Sequence, residues 1–191
     1  MNSTEVRSAD DLSGLVRKHR LDAIAVDQRA DHLPAGVVSA LPADHRVVVF
    51  PVADEHSDTA AFSAHFGFGL EDCANTLILR YTKDQADRHA AVVSLGSLRL
   101  DVNGAVKALL GAKRPTFAKR EVATALTGME FGGITAFGLP GDMPILIDAA
   151  VMERPFVVMG AGYRRTKILI APALLSRLPN AVVAPLTFPP A

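Results

Sequence analysis

The sequence predicts an α/β fold in which one domain is built from many short strands in a mixed sheet. Its 191 residues are enough for one domain with a sizeable core. Hydrophobic residues make up 49% of the chain and charged residues 21%, which is the composition of a globular protein. Runs of β-forming residues alternate along the chain with segments of helical periodicity, and this alternation favours a sheet with surrounding helices.

The first half of the chain begins with a helical pattern and then alternates. Ser8, with Asp11 three residues later, predicts a helix start ahead of an apolar stripe that begins at Leu12. Further elements are predicted by β-forming runs or by serine and aspartate N-caps. These are strands at residues 22–26, 47–52, 76–81 and 90–94, and a helix at residues 57–66.

The second half continues the alternation and contains two helices that end at glycine. Asn103 is a favourable N-cap for a helix that Gly111 ends, and a helical face at 118–126 is closed by Gly128. Pro172 suits the first turn of a final helix, because its missing N–H would have no partner there in any case. Strands are predicted at residues 144–148, 156–159 and 167–170.

Opposite charges are unevenly distributed although the formal net charge is zero. Residues 1–101 hold 10 Lys and Arg against 15 Asp and Glu, whereas residues 102–191 hold 10 against 5. Two basic clusters result: Lys107, Lys113, Arg114, Lys119 and Arg120 form one, and Arg164, Arg165, Lys167 and Arg177 form the other. Such asymmetry indicates either an anionic partner or an ordinary solvated surface. A neutral protein binds nucleic acid well only if its cations share one face.

Several classes of protein and site are excluded by what the sequence lacks. It contains no apolar run of about 18 residues, and no apolar segment follows Met1 in the manner of a secretory signal. Cys73 is the single cysteine, so we expect buried packing there and no disulfide or cysteine-cluster metal site. The six histidines have no metal-ligand spacing, and the common hydrolase, phosphate-loop and zinc-protease motifs are absent. We therefore expect a cytoplasmic protein that uses no membrane, metal or cofactor.

The segment Gly160-Ala161-Gly162 has part of a dinucleotide-binding pattern. It follows a predicted strand, but Arg165 stands where the third glycine belongs, and another strand follows. A dinucleotide site needs a helix there to receive the pyrophosphate. We interpret the segment as a tight turn between two strands, with the lining of a pocket as the functional alternative.

A glycine-rich segment at residues 127–140 stands out from the rest of the chain. It contains four glycines and a terminal proline, which is typical of a long structured loop between a helix and a strand. Such a loop lets backbone N–H groups face a ligand closely, and they can then stabilise an oxyanion. Glycine content alone favours a simple connection over such a site.

A series of short segments occurs in an order and spacing that are typical of one known family. The segments are DTAAF (58–62), LED (70–72), CANTLI (73–78), DVN (101–103), LGAK (110–113), LTG (126–128), GGIT (132–135), ID (147–148) and VMGAGYR (158–164). Together they resemble the YbaK/EbsC family of aminoacyl-tRNA deacylases over about residues 55–180. The resemblance implies one YbaK-like domain over residues 1–191, with a mixed, largely antiparallel curved sheet and surrounding helices.

The resemblance implies a trans-editing hydrolase. It would cleave the ester between a wrong amino acid and the terminal ribose of a tRNA. Its implied partner is therefore mischarged aminoacyl-tRNA, with a synthetase as a second candidate partner. In the family a Gly-x-x-x-Pro loop supplies backbone donors to a small pocket, and residues 132–136 occupy that place. A second hydrolytic sieve is useful because one methylene changes binding by only about 1–3 kcal/mol.

The implied site joins the glycine-rich loop to the start of a strand. Four loop residues are expected to supply oxyanion donors and one pocket wall: Gly132, Gly133, Ile134 and Thr135. Asn75 is expected to orient the ester or a water. The expected substrate contacts are Thr76, Ala136, Asp148, Gly160, Gly162 and Arg164. Among these, Asp148 would hold the loop by accepting N–H bonds, and Arg164 would receive tRNA phosphates.

Two positions depart from the family pattern. Many members carry a lysine where this chain has Asn75, and Ala136 replaces the loop proline. Asparagine donates and accepts hydrogen bonds but supplies no fixed charge, and alanine leaves φ free. A non-catalytic aminoacyl- or tRNA-binding module on the same fold is therefore the alternative function. A hydrolase of an unrelated small molecule, built on the same fold, is the third candidate function.

Overall fold

A computed structural model describes residues 12–188, which form eight strands and six α-helices. The strands are β1 (Val47–Pro51), β2 (Cys73–Lys83), β3 (Ala86–Leu95), β4 (Lys113–Phe117), β5 (Ile145–Asp148), β6 (Val157–Gly160), β7 (Thr166–Ile170) and β8 (Ala181–Ala184). The α-helices are α1 (Ser13–Lys18), α2 (Ala35–Ala40), α3 (Thr59–Phe66), α4 (Lys107–Leu110), α5 (Arg120–Thr127) and α6 (Ala149–Met152). Within the described range, no helix combines the length and apolar character that crossing a membrane requires.

All eight strands belong to one mixed sheet. Their order is β1-β7-β6-β2-β3-β5-β8, with β4 paired to β2 outside that path. Four of the seven pairings are antiparallel and three are parallel. The expected α/β class with a mixed, largely antiparallel sheet is therefore confirmed.

The neighbours of β2 leave a gap in the sheet. On one side β2 pairs with β3 from Ala74 to Lys83. On the other side β6 pairs with β2 only at residues 73–74, and β4 pairs with it only from Leu79 onward. No described strand pairs with residues 75–78 on that side, although Ala118 N–H donates to the Ile78 carbonyl at 2.8 Å. An open strand edge of this kind presents backbone polar groups to whatever occupies the gap.

The two faces of the sheet carry separate hydrophobic clusters beside this gap, because successive side chains on a strand point to opposite faces. Ala74 and Met159 lie in the larger cluster. Cys73 and Val158, which precede them in sequence, lie in a smaller cluster with Phe62 of α3. The gap therefore lies between two apolar layers.

Six of the seven predicted strands are present. Two of them are longer than predicted, since β2 and β3 continue into a hairpin. The hairpin turn, Asp84-Gln85, has φ values of 51° and 62°. Two consecutive left-handed residues match the twist of the flanking strands, but without a glycine the sequence carries no clear signal for them.

The remaining strand predictions need correction. Residues 22–26 form no strand, because Ile24 makes only an isolated bridge to Val49 and Val26–Asp31 is a 3₁₀ helix. The prediction omits β4 and β8. Charges and Pro115 interrupt the apolar pattern in β4, and β8 has only four residues.

Helix predictions are correct where a glycine ends the helix. Both α3 and α5 end at a left-handed glycine, Gly67 and Gly128, and Asp58 is the N-cap of α3. The helix predicted from Asn103 also ends at a left-handed glycine, Gly111, but it starts as a π turn, Val102–Val106, where the Asp101 carboxylate accepts N–H groups of the first turn. The final helix is 3₁₀, and α2 was not predicted. Ser8 and Asp11 lie outside the described residues.

Candidate functional site

A pocket of about 290 Å³ occupies the gap beside β2. Its walls come from β2, from β6 and β7, from the start of α3, and from the glycine-rich loop after α5. The polar side chains that line it are Ser57, Asp58, Thr59, Asn75, Thr76 and Lys167. Apolar side chains from both core clusters complete the walls: Phe62, Cys73, Ile78, Ala123, Ile134, Val158 and Met159.

Asn75 is half-buried in this pocket, at the point where β6 stops pairing with β2. The Thr59 hydroxyl at the start of α3 donates to its side-chain oxygen at 2.9 Å. That bond leaves the amide NH₂ group of Asn75 as the free end, and no acceptor for it is present in residues 12–188. Asn75 is therefore a fixed, neutral donor on the pocket wall.

The glycine-rich loop contributes Gly132 and Ile134 to the pocket. The N–H of Gly133 is used in a turn, because it donates to the Glu130 carbonyl at 2.9 Å. The N–H of Thr135 lies 3.4 Å from the Met129 sulfur. Neither Gly132 nor Ile134 donates its N–H to any acceptor in the described part of the chain. Of the four predicted loop donors, these two have both a free N–H and a position on the pocket.

Close backbone contact holds this loop against β6 and the turn that follows it. A Cβ on Gly160 would lie 2.5 Å from the Gly133 carbonyl oxygen and 2.6 Å from that of Ile134. The Gly133 carbonyl also accepts the N–H of Gly162 at 2.7 Å. Glycine is required here because a side chain would separate the two backbones. Gly160 lines the pocket, whereas Gly162 packs against Pro34.

The other predicted contacts lie in different surroundings. Thr76 lines the pocket and its buried hydroxyl has no partner among the described residues. Thr135 and Ala136 are buried residues of the glycine-rich loop, and neither lines the pocket. Asp148 does not hold the glycine-rich loop, which corrects the prediction. Its carboxylate accepts the Leu186 N–H at 2.7 Å and the Thr187 hydroxyl at 3.1 Å, so it anchors the segment after β8.

Arg164 is neutralised by acidic neighbours. Its guanidinium lies 3.1 Å from the carboxylates of both Asp54 and Asp58. Its backbone N–H donates to the Glu130 carboxylate at 2.7 Å. These contacts place Arg164 beside the pocket, but a phosphate would have to compete with two carboxylates for it.

Lys167 is the pocket residue whose position the sequence analysis missed. The sequence places it in a basic cluster that indicates either an anionic partner or a solvated surface, yet only 7% of it is exposed and it lines the pocket. Its ammonium donates to the Ser57 carbonyl at 2.7 Å. Burial lowers its pKa, while the nearby Cys73 raises it to a smaller extent. The available signal was a single charge in β7, Thr166–Ile170, a segment that is otherwise apolar apart from one threonine.

Cys73 is buried in the pocket wall, and burial followed by the charge of Asp72 raises the pKa of its thiol to about 12. At pH 8 we expect iodoacetamide to alkylate it on the order of 1,000-fold more slowly than in the urea-unfolded chain, because the thiolate is the reacting form. The rate should rise with pH toward that pKa, as mass spectrometry of the alkylated chain can measure. Equal rates in folded and unfolded protein would contradict this environment.

Aromatic and basic side chains surround the mouth of the pocket. Phe117 and Phe131 line it and expose 56% and 47% of their surface. The Arg120 guanidinium lies 5.4 Å from the centre of the Phe131 ring. An adjoining groove is lined by Arg120, Arg164 and Arg165 together with the acidic residues Asp54 and Glu130. In the region spanning residues 12–188, no three His, Cys, Asp or Glu residues form a cluster that could hold a metal ion.

Comparison with known proteins agrees with this architecture. The model of the aminoacyl-tRNA editing domain family matches residues 53–178. The chain is similar to a solved candidate trans-editing enzyme for prolyl-tRNA synthetase, with a TM-score of 0.69 and 20% identity over 86% of this chain and 98% of that one. It is also similar to the hypothetical protein APE2540, with a TM-score of 0.66 and 26% identity over 73% and 90%. A scaffold protein for computational epitope grafting gives a TM-score of 0.67 and 22% identity over 76% and 90%.

Proposed function

This chain belongs to the family of aminoacyl-tRNA editing domains, and from that premise we propose that its pocket hydrolyses the ester bond of mischarged aminoacyl-tRNA. A water molecule attacks the ester carbonyl carbon, and the bond from that carbon to the ribose oxygen breaks. The ribose oxygen takes up the proton that the water releases. The products are a free amino acid and an uncharged tRNA.

One observation carries this proposal: three residues that line the same small pocket have donors with no acceptor among the described residues, two of them backbone N–H groups and the third a side-chain amide. The N–H groups belong to Gly132 and Ile134, and the amide to Asn75. Donors that the fold already holds in position stabilise a developing oxyanion without reorganising, and each is worth about 2.7–4 kcal/mol in known hydrolases. A pocket of about 290 Å³ has room for a small aminoacyl group.

Water is the nucleophile in this proposal, because the protein groups in the pocket are poorly suited to that role. The Cys73 thiol is protonated at neutral pH. No histidine lines the pocket to activate the hydroxyl of Thr59 or Thr76. Asn75 positions the ester or the attacking water, and Thr59 keeps its amide oriented.

The mouth of the pocket supports an RNA 3′ end over a small ester as the substrate. Exposed aromatic rings such as Phe117 and Phe131 stack nucleobases, at about 1–3 kcal/mol for each base. Three arginines and two acids, Asp54 and Glu130, line the adjoining groove, and its cations attract backbone phosphates. A small-molecule hydrolase would need neither feature.

The test is release of free amino acid from a panel of tRNAs, each charged with a non-cognate amino acid. With the full chain we expect release at least about 100-fold above the spontaneous rate for one or more of them. An aminoacyl ester without the tRNA should react more slowly at equal concentration. Binding of mischarged tRNA with no release at any protein concentration would reject hydrolysis and favour the non-catalytic module.

Asn75→Ala is expected to lower the rate of this release by about 100- to 1,000-fold, because it removes one positioned donor from the pocket. Asn75→Lys should lower it too, since a second cation would enter the pocket beside Lys167. Asn103→Ala is the matched control, because Asn103 is exposed and outside the pocket. Faster release by Asn75→Lys would instead indicate that Asn75 is a degenerate position.

A further inference from the structure

We propose that buried Lys167 forms an oxygen-binding subsite of this pocket, which takes the carbonyl oxygen of the substrate ester and the negative charge that develops on it. The inference rests on the proposed function and adds a cationic group that the site expected from the sequence does not include. The ligand that the Lys167 subsite requires is an acceptor oxygen that becomes anionic during the reaction. A cation aligned with such an oxygen stabilises the transition state more than the ground state.

The surroundings of Lys167 do not satisfy its charge. The residue is 7% exposed, and no carboxylate oxygen among residues 12–188 lies within the 4.0 Å of an ion pair with it. Asp58, the one acid among the residues that line the pocket, is paired with Arg164. Burying an ammonium without a counterion is costly, so such a group on a pocket wall is a candidate for function.

The hydrogen bonds of Lys167 are also incomplete. An ammonium has three N–H donors, and one of them goes to the Ser57 carbonyl at 2.7 Å. The other two have no acceptor in the part of the chain that the structure describes. A ligand oxygen in the pocket would accept a hydrogen bond from one of these two free donors.

The position of Lys167 connects it to the proposed oxyanion donors. Lys167 pairs in register with Gly160 across β6 and β7. Gly160 in turn contacts the backbone carbonyls of Gly133 and Ile134. Lys167 is the one cationic side chain among the residues that line the pocket, and Asn75 on β2, which β6 separates from β7, adds a donor without charge. The positive charge of Lys167 and the neutral donor of Asn75 thus come from different strands that border one pocket.

Lys167→Met tests the subsite, because methionine keeps the length of the side chain and removes the charge. We expect kcat for amino acid release to fall by about 100-fold or more, with KM changed by less than about threefold. The thermal midpoint should not fall, since an unpaired buried charge is replaced by an apolar group. If Lys167 served only to hold Ser57 through its hydrogen bond, the opposite pattern would result. The thermal midpoint would fall, and kcat per folded molecule would be retained.

Lys83→Met is the matched control. The Lys83 ammonium also donates to a backbone carbonyl, that of Leu110 at 3.0 Å, but it lies outside the pocket. Its loss should leave kcat unchanged. Wild-type protein that releases no amino acid would reject the proposed hydrolysis. Active wild type together with an equally active Lys167→Met variant would reject the Lys167 subsite and leave hydrolysis standing.

The pH profile provides a readout that a structural role would not change. Wild-type kcat, corrected for spontaneous hydrolysis, should decrease at alkaline pH as Lys167 loses its proton. The midpoint should lie below that of an ordinary lysine, because burial lowers the pKa of Lys167. The charged and titratable groups that act on it are Cys73 on β2, Asp58 before α3 and Arg164 before β7. The residual activity of Lys167→Met should lack this alkaline limb, and a limb that persists would contradict the assignment.

Discussion

Replacing Gly160 with alanine is expected to lower amino acid release by at least about 100-fold and to cost about 1–3 kcal/mol of unfolding free energy. The added Cβ would lie 2.5 Å from the Gly133 carbonyl oxygen and 2.6 Å from that of Ile134. Both are backbone atoms, so the glycine-rich loop must move away from β6. Because the loop carries the proposed donors, a displacement of about 1 Å would misalign them with the substrate.

Gly141→Ala is the control for this change. Gly141 lies in the same connection between α5 and β5, and a Cβ there would meet no atom within 4 Å. Its stability and rate should stay close to wild type. Urea unfolding gives the free energy, and release from the best tRNA of the panel gives the rate. A Gly160→Ala protein with wild-type kcat would show that catalysis does not depend on where the loop sits.

Replacing Asp148 with alanine is expected to destabilise the fold by about 2–4 kcal/mol while changing kcat per folded molecule by less than about threefold. Asp148 is 1% exposed, and its carboxylate accepts the Leu186 N–H and the Thr187 hydroxyl. Without it, the buried Leu186 N–H loses its acceptor, and the segment after β8 loses its anchor on β5. Neither contact reaches the pocket.

Asp142→Ala provides the matched comparison, since Asp142 is an exposed aspartate three residues before β5. Its unfolding free energy should change by no more than about 0.5 kcal/mol. Chemical denaturation and kcat, measured on the same samples, separate stability from activity. A kcat loss in Asp148→Ala that exceeds its loss of folded protein would restore the sequence-based role of Asp148 in supporting the glycine-rich loop.

Local patterns predicted much of this fold correctly. Strands such as β5, β6 and β7 are short apolar runs whose side chains are buried on both faces, and such runs are visible in sequence. Helices α3 and α5 end at glycines that adopt the left-handed conformation. The missed elements have weak local signals: β4 is charged and contains Pro115, and β8 is held mainly by its pairing with β5.

The amino-acid sequence by itself determined the α/β class and most of the strands, and it pointed to two segments from which Asn75, Gly132 and Ile134 line one pocket. The class and the strands follow from local periodicity, and the two segments follow from glycine content and from the ordered motifs that resemble the family. Only the tertiary structure decided that Lys167 is buried in that pocket and that Asp148 anchors the segment after β8. The physical reason is that a side chain's burial and partners depend on which strands become neighbours across the sheet, and contacts between distant segments leave little trace in the local pattern.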